Sequence, residues 1–208
     1  LKYIWTKYKR LILISFAAAM FCFFYFDIPA ATYFGEMPSQ TRDYWKDITV
    51  FGDSKYSLIA GLLVWIIFKK IDRISARTGL FVFSSVALSG ILVDIFKWIF
   101  GRYRPVMLFN EDQYGFTFFK YTFEYVSFPS GHSATAFALG TAFALLMPKG
   151  KWFFMLLAAG VAFSRVAINK HYLSDIIIGS LFGFLTAVYL FRGVFSDLKQ
   201  NSTPASPH

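Results

Sequence analysis

Six apolar runs of helix length, at roughly 11–29, 48–68, 78–100, 131–148, 152–170 and 175–194, leave this 208-residue chain little choice of solvent. Each run approaches the ~20 residues that a helix needs to cross ~30 Å of hydrocarbon. The runs lack the strict alternation of barrel strands, and in lipid only a helix otherwise satisfies its own backbone groups. The expected fold is therefore all-α, a polytopic membrane protein with six transmembrane helices. Several charge-free cores are only about 13 to 16 residues long. Flanking Lys and Arg must then snorkel, or the helices must bury polar residues against one another. Residues 1–195 read as one domain, and the polar, proline-bearing segment 196–208 reads as a disordered tail.

Composition supports a bilayer, with 56% hydrophobic residues and a mean hydropathy of +0.50. A formal charge of +9 fits loops that face anionic lipid better than it fits nucleic acid. The single cysteine, Cys22, excludes an intrachain disulfide and a cysteine-rich metal site. The basic start followed by an apolar run also has the form of a secretory signal, but the rest of the chain is as apolar, and the run serves as a first span. With six spans, the side holding both termini carries 12 Lys and Arg, and the other side carries six once Lys97, Arg104 and Arg165 are set apart. The positive-inside rule then puts both termini in the cytoplasm.

Three polar clusters interrupt the outward face: KWIFGRYRP with Lys97, Arg104 and Pro105; PSGH at 129–132; and SRVAINKHYLSD with Arg165, His171 and Asp175. The topology brings all three to one membrane boundary. Lys97, Arg104 and Arg165 supply the cations that a phosphate dianion requires, and an arginine fork can hold two oxygens at once. Ser130 is placed to cap the fourth helix, so that its hydroxyl and the N–H groups of Gly131 and His132 point at an anion. His171 and Asp175 are four residues apart, close enough for the carboxylate to hold one ring nitrogen and direct the other as a nucleophile.

The pattern Lys-x6-Arg-Pro, Pro-Ser-Gly-His, Ser-Arg-x5-His-x3-Asp resembles the three-part signature of the type-2 phosphatidic acid phosphatase (PAP2) family, with every position filled. The resemblance implies a membrane phosphatase working through a phosphohistidine. His171 would be the nucleophile, Asp175 its orienting partner and His132 the acid for the leaving oxygen. Lys97, Arg104, Ser130, Gly131 and Arg165 would bind phosphate, with no metal or other cofactor. Substrates across bacterial relatives include phosphatidylglycerophosphate, undecaprenyl diphosphate and the lipid A 1-phosphate group. The compact loops incline the reading to lipid A or another glycolipid phosphate, at a bacterial inner membrane with the site facing outward.

Other readings stand beside this one. A phosphotransferase would use the same intermediate, and a binding or transport protein would need only the cations, whereas both histidines and Asp175 are present. A haloperoxidase shares the constellation but is soluble. Asp94 lies inside the third span at i−3 from Lys97, which suggests mutual neutralisation, with a direct substrate contact as the alternative. Arg102 could anchor a helix end or touch a second phosphate or sugar. Asp53 and Ser54 read as caps of the second helix. The aromatic stretch 109–128 is either a lip that admits a lipid sideways or a packed outer loop.

Overall fold

The computed structural model describes residues 2–198. It contains no strand among them, and its helices run in the order α1 (Lys2–Tyr25), α2 (Asp27–Gly35), α3 (Ser39–Thr49), α4 (Ser54–Phe68), α5 (Arg73–Phe100), α6 (Pro105–Glu111), α7 (Gly131–Leu146), α8 (Lys151–Ala167) and α9 (Leu173–Gly193). Five stretches are long and apolar enough to span a bilayer: Ile4–Tyr25, Ser39–Phe68, Arg73–Phe100, Pro148–Ala167 and Leu173–Gly193. The shorter apolar helix Gly131–Leu146 is the sixth element. At ~1.5 Å per residue it is only ~24 Å long, less than the hydrocarbon thickness. The protein is thus an all-α polytopic membrane protein.

Helix α9 is the axis of the bundle: 61% of its most apolar window is buried, against 6% for α1, which leans on α9 from the lipid side. Small residues let α7 lie directly on α9. A Cβ at Gly183 would run into the backbone of Ala134 and Ala138, and one at Gly179 would strike the Ser130 carbonyl. In lipid such close backbone approach replaces the hydrophobic effect as the source of helix association. The pair α4 and α5 repeats the device, since a Cβ at Gly61 would come within 2.9 Å of the Gly79 carbonyl.

Three local features differ from the sequence reading. The second span is bent: α3 and a 3-10 turn (Val50–Gly52) precede α4, whose N-cap Asp53 accepts from the Lys55 N–H at 3.1 Å. The polar segment expected as an outer loop around 30–50 is largely helical. The C-terminal boundary also moves. Arg77 binds both the Val194 carbonyl and Asp197, and Leu198, only 3% exposed, closes an apolar cluster with Phe81, Phe191 and Phe195. Residues 196–198 therefore belong to the packed domain, because Leu198 still has apolar surface to bury. The rest of the expected tail, 199–208, lies outside the described residues.

The stretch 109–128 folds back on the end of α5. Gly101 ends that helix at φ +50, a left-handed conformation that costs glycine little. Its carbonyl then accepts from the Thr117 N–H at 2.8 Å, while Phe118 and Phe119 donate to the carbonyls of Phe100 and Ile99. The segment packs on the end of α5 and exposes Phe118, Phe119, Tyr121 and Phe123 on its surface.

Candidate active site

The PSGH segment opens α7 against the first turn of α9. Ser130 is the N-cap, as its position predicts: its Oγ accepts from the Ser133 N–H at 3.4 Å and from the Ser133 hydroxyl at 2.9 Å. Its own N–H donates to the Asp175 carbonyl at 3.1 Å, joining two of the three motifs through the backbone. Lys97, near the end of α5, reaches the same point, for a Cβ on Gly131 would stand 3.4 Å from Nζ. His132 follows on α7, backed by the 3-10 turn, where a Cβ at Gly52 would come within 3.0 Å of the His132 Cβ.

Two arginines complete the cationic wall, each with 8% of its surface exposed. Arg104 donates to the carbonyls of Phe123 (2.7 Å), Lys170 (3.1 Å) and Val126 (3.4 Å). Arg165 donates to the Thr49 hydroxyl at 2.8 Å, and its buried Nε has no protein partner. Among the described residues, neither guanidinium is ion-paired with a carboxylate. Carbonyls satisfy part of the N–H inventory while leaving the positive charge uncancelled, and charge-assisted hydrogen bonds to an anion are the strong ones. Lys97 is 3.6 Å from Asp94, a pair whose acidic member is 59% exposed. Asp94 thus lies at the outer edge as a partial counter-ion of Lys97.

His171 lies where these charges converge. The ring is 3% exposed, and Nδ1 stands 2.7 Å from the Ser127 carbonyl oxygen. A carbonyl can only accept, so Nδ1 carries the proton and Nε2 keeps its lone pair. Burial, followed by the charges of Arg104, Arg165 and Lys97, holds the imidazole well below its ordinary value near 6.5, against a smaller opposing pull from the Ser127 carbonyl. His171 is therefore neutral at physiological pH.

The expected Asp175–His171 hydrogen bond is replaced by an indirect one. Asp175 Oδ2 is 3.6 Å from Nδ1. That oxygen instead accepts from the Ser127 hydroxyl at 2.6 Å and the Tyr172 N–H at 2.9 Å, while Oδ1 accepts from Arg102. Asp175 caps the first turn of α9 and fixes Ser127, and Ser127 holds the ring. Sequence reasoning passed over Ser127 because its contact to the ring is made by the main chain, which every residue possesses.

Arg102 is not placed to touch a substrate. It is fully buried and ion-paired with Asp175 through Nη1 and with Asp27, at 2.7 Å, through Nη2. Phe23, Tyr114, Phe116 and Tyr172 surround the guanidinium, 4.6–5.5 Å from ring centroid to carbon. Asp27 was missed in the sequence. The signal was available, since a carboxylate at the end of an apolar run needs a partner in lipid. Asp27 is 1% exposed and accepts from Arg102, the Ser174 N–H (3.0 Å) and the Ser174 hydroxyl. Removing one member of such a buried set costs about 3–5 kcal/mol, because a desolvated charge is left behind.

All three motifs thus meet at one rim, and the PAP2 superfamily model matches residues 78–198, a span containing every one of them. The chain belongs to the PAP2 superfamily. It is similar along almost its whole length to a lipid A 1-phosphatase of Rhizobium etli, with 31% identity over 95% of this chain and 92% of that protein. A lipid A 1-phosphatase of Rhizobium johnstonii is 29% identical over 95% of this chain and 87% of its own. Among solved structures, Aquifex aeolicus LpxE superposes with a TM-score of 0.61 at 18% identity, covering 80% of this chain and 94% of that one. The protein is an integral-membrane PAP2 lipid phosphatase, and its six apolar elements and cationic rim are the PAP2 architecture as this sequence builds it.

Proposed function

We propose that the protein removes phosphate from a phosphorylated glycolipid of the lipid A 1-phosphate class, through a covalent intermediate on His171. The observation that carries the reading is the neutral His171 ring, its Nδ1 committed to the Ser127 carbonyl, standing where the cations of Lys97, Arg104 and Arg165 converge. Nε2 attacks phosphorus as the bond to the lipid oxygen breaks, and His132 gives that oxygen its proton. A water then attacks the phosphohistidine, His132 takes its proton, and inorganic phosphate leaves as the P–N bond opens. Negative charge spread over three equatorial oxygens is stabilised by the cations and by the Ser130–Gly131 end of α7, all set in place before reaction.

The glycolipid class rests on similarity to the Rhizobium lipid A 1-phosphatases over nearly the full chain. Orientation rests on the 12-to-6 distribution of basic residues, which sets both termini in the cytoplasm and the site on the outer face of the inner membrane. The deciding experiment is phosphate release by the purified protein in detergent from lipid A 1-phosphate, phosphatidylglycerophosphate and undecaprenyl diphosphate, with His171→Ala in parallel. Release from lipid A 1-phosphate that disappears in the variant is the expected result. Turnover that survives the variant would refute the nucleophile, and preference for another lipid would refute the substrate class.

A further inference from the structure

We infer that Asp27, at the junction of α1 and α2, is a positioning residue for phosphoryl transfer: acting through Arg102, Asp175 and Ser127, it sets the ring of His171. The inference builds on the proposed nucleophile and adds a component from outside the segment, 78–198, that the PAP2 model matches.

The argument starts with the geometry of one guanidinium. Arg102 could offer both Nη groups to a single carboxylate, the bidentate arrangement that arginine favours. Here the fork is split: Nη1 goes to Asp175 Oδ1 and to the Ser174 hydroxyl at 2.6 Å, and Nη2 goes to Asp27 at 2.7 Å and the Tyr114 hydroxyl at 3.2 Å. Because Asp27 takes half of the fork, Asp175 keeps Oδ2 for the Ser127 hydroxyl at 2.6 Å and the Tyr172 N–H at 2.9 Å. Ser127 is thereby fixed with its carbonyl 2.7 Å from His171 Nδ1.

Without the Asp27 carboxylate, Nη2 would be a buried donor lacking its counter-charge, and the nearest remedy is rotation onto Asp175. Both Asp175 oxygens would then face Arg102. The Ser127 hydroxyl would lose its acceptor, and the carbonyl that selects the His171 tautomer would be free to move. Asp27 itself is far from this event in sequence, 148 residues before Asp175, yet it touches the same guanidinium. Two further contacts hold it in register: its Oδ1 accepts from the Ser174 N–H at 3.0 Å, and Tyr114 is anchored to the Phe23 carbonyl at 2.6 Å.

The test compares wild type with Asp27→Asn, purified in detergent and checked for an unchanged unfolding temperature. Asparagine keeps the shape but turns one acceptor into an N–H that faces Arg102 and Ser174. Expected on the lipid phosphate that wild type hydrolyses best is a fall in kcat of about tenfold or more with KM within about twofold, because orientation of the nucleophile is lost while the phosphate cage is intact. In 15N-histidine spectra of the same samples, the single Nδ1–H form of His171 should give way to a mixture of tautomers. A folded Asp27→Asn protein with wild-type kcat and an unaltered His171 spectrum would overturn the proposal. Should Asp27→Asn fail to fold, Tyr114→Phe decides, since it removes one contact each to Asp27, Arg102 and the Phe23 carbonyl and retains the ring. A several-fold drop in kcat at constant KM supports the proposal, and wild-type kcat overturns it. If wild type releases no phosphate from any lipid, the proposed function fails on its own, and the histidine spectra still decide whether Asp27 governs the ring.

Discussion

The imidazole of His171 is held by the main chain of Ser127: Nδ1 lies 2.7 Å from that carbonyl, while the nearest oxygen of Asp175 is 3.6 Å away. A carboxylate would bring a counter-charge to the ring. A neutral carbonyl orients it and raises its basicity only slightly against the opposing burial and cations. The ring is consequently selected as one neutral tautomer in a site whose cations oppose a positive charge.

The first prediction concerns that protonation state. Burial and the three cations lower the His171 value well below 6.5, so the folded protein takes up a proton there later than the unfolded chain does. The sign follows from linkage: no penalty exists above about pH 6.5, and stability declines progressively as pH falls from there toward the folded value. In 15N-histidine spectra at pH 6 the ring should be neutral, protonated at Nδ1 and bare at Nε2. A protonated His171 at that pH would contradict the electrostatics described above.

Arg165 offers the sharpest test of the cationic wall. Its only side-chain contact among those described is to Thr49, so replacement should loosen the fold little. Arg165→Ala should cut kcat/KM by about 10²–10³, the usual cost of losing one preorganised charge-stabilising donor. Vanadate, which imitates pentacoordinate phosphorus, should inhibit the wild type and bind the variant more weakly. Equal vanadate inhibition of the two proteins would remove Arg165 from the site.

Orientation in the bilayer can be read by labelling. Lys120 and Lys70 are exposed on opposite ends of the bundle, and Cys22 is half-buried within α1. In intact cells carrying Cys22→Ala, a membrane-impermeant maleimide should modify Lys120→Cys and spare Lys70→Cys. The reverse pattern would place the site in the cytoplasm.

Chelation addresses the chemistry itself. In the proposed mechanism Lys97, Arg104 and Arg165 take the part that a metal plays in many phosphatases, so EDTA should leave turnover within about twofold of the untreated enzyme. A strict requirement for added Mg²⁺ would mean that Lys97, Arg104 and Arg165 do not suffice.

The fold and the chemistry were unequally legible in the sequence. The six apolar elements follow from the demand that lipid makes on every backbone group, and Ser130 and His171, 33 and 74 residues after Lys97, needed only a topology to bring them together. What escaped notice depends on contacts with no local trace. Asp27 and Arg102 are 75 residues apart, and nothing near either announces the other. The role of Ser127 falls on a carbonyl, which no choice of side chain records. Arg102 reads as a helix-end anchor or a substrate contact because a charge beside a phosphate motif suggests it, whereas two carboxylates and four rings enclose it. The turn at Val50–Gly52 was half legible, since Asp53 reads as the cap of the helix that follows it, but the polar residues 39–49 gave no sign that they too are helical.

The glycines of α9 carry a consequence for the distant site. Gly179 and Gly183 let α7 rest so close that Ser130 and Asp175 share a backbone hydrogen bond, which means that the width of the candidate site is gauged by methyl groups missing between two helices. Changes along that buried seam would therefore act as tuning screws on turnover, even though no phosphate ever comes near them.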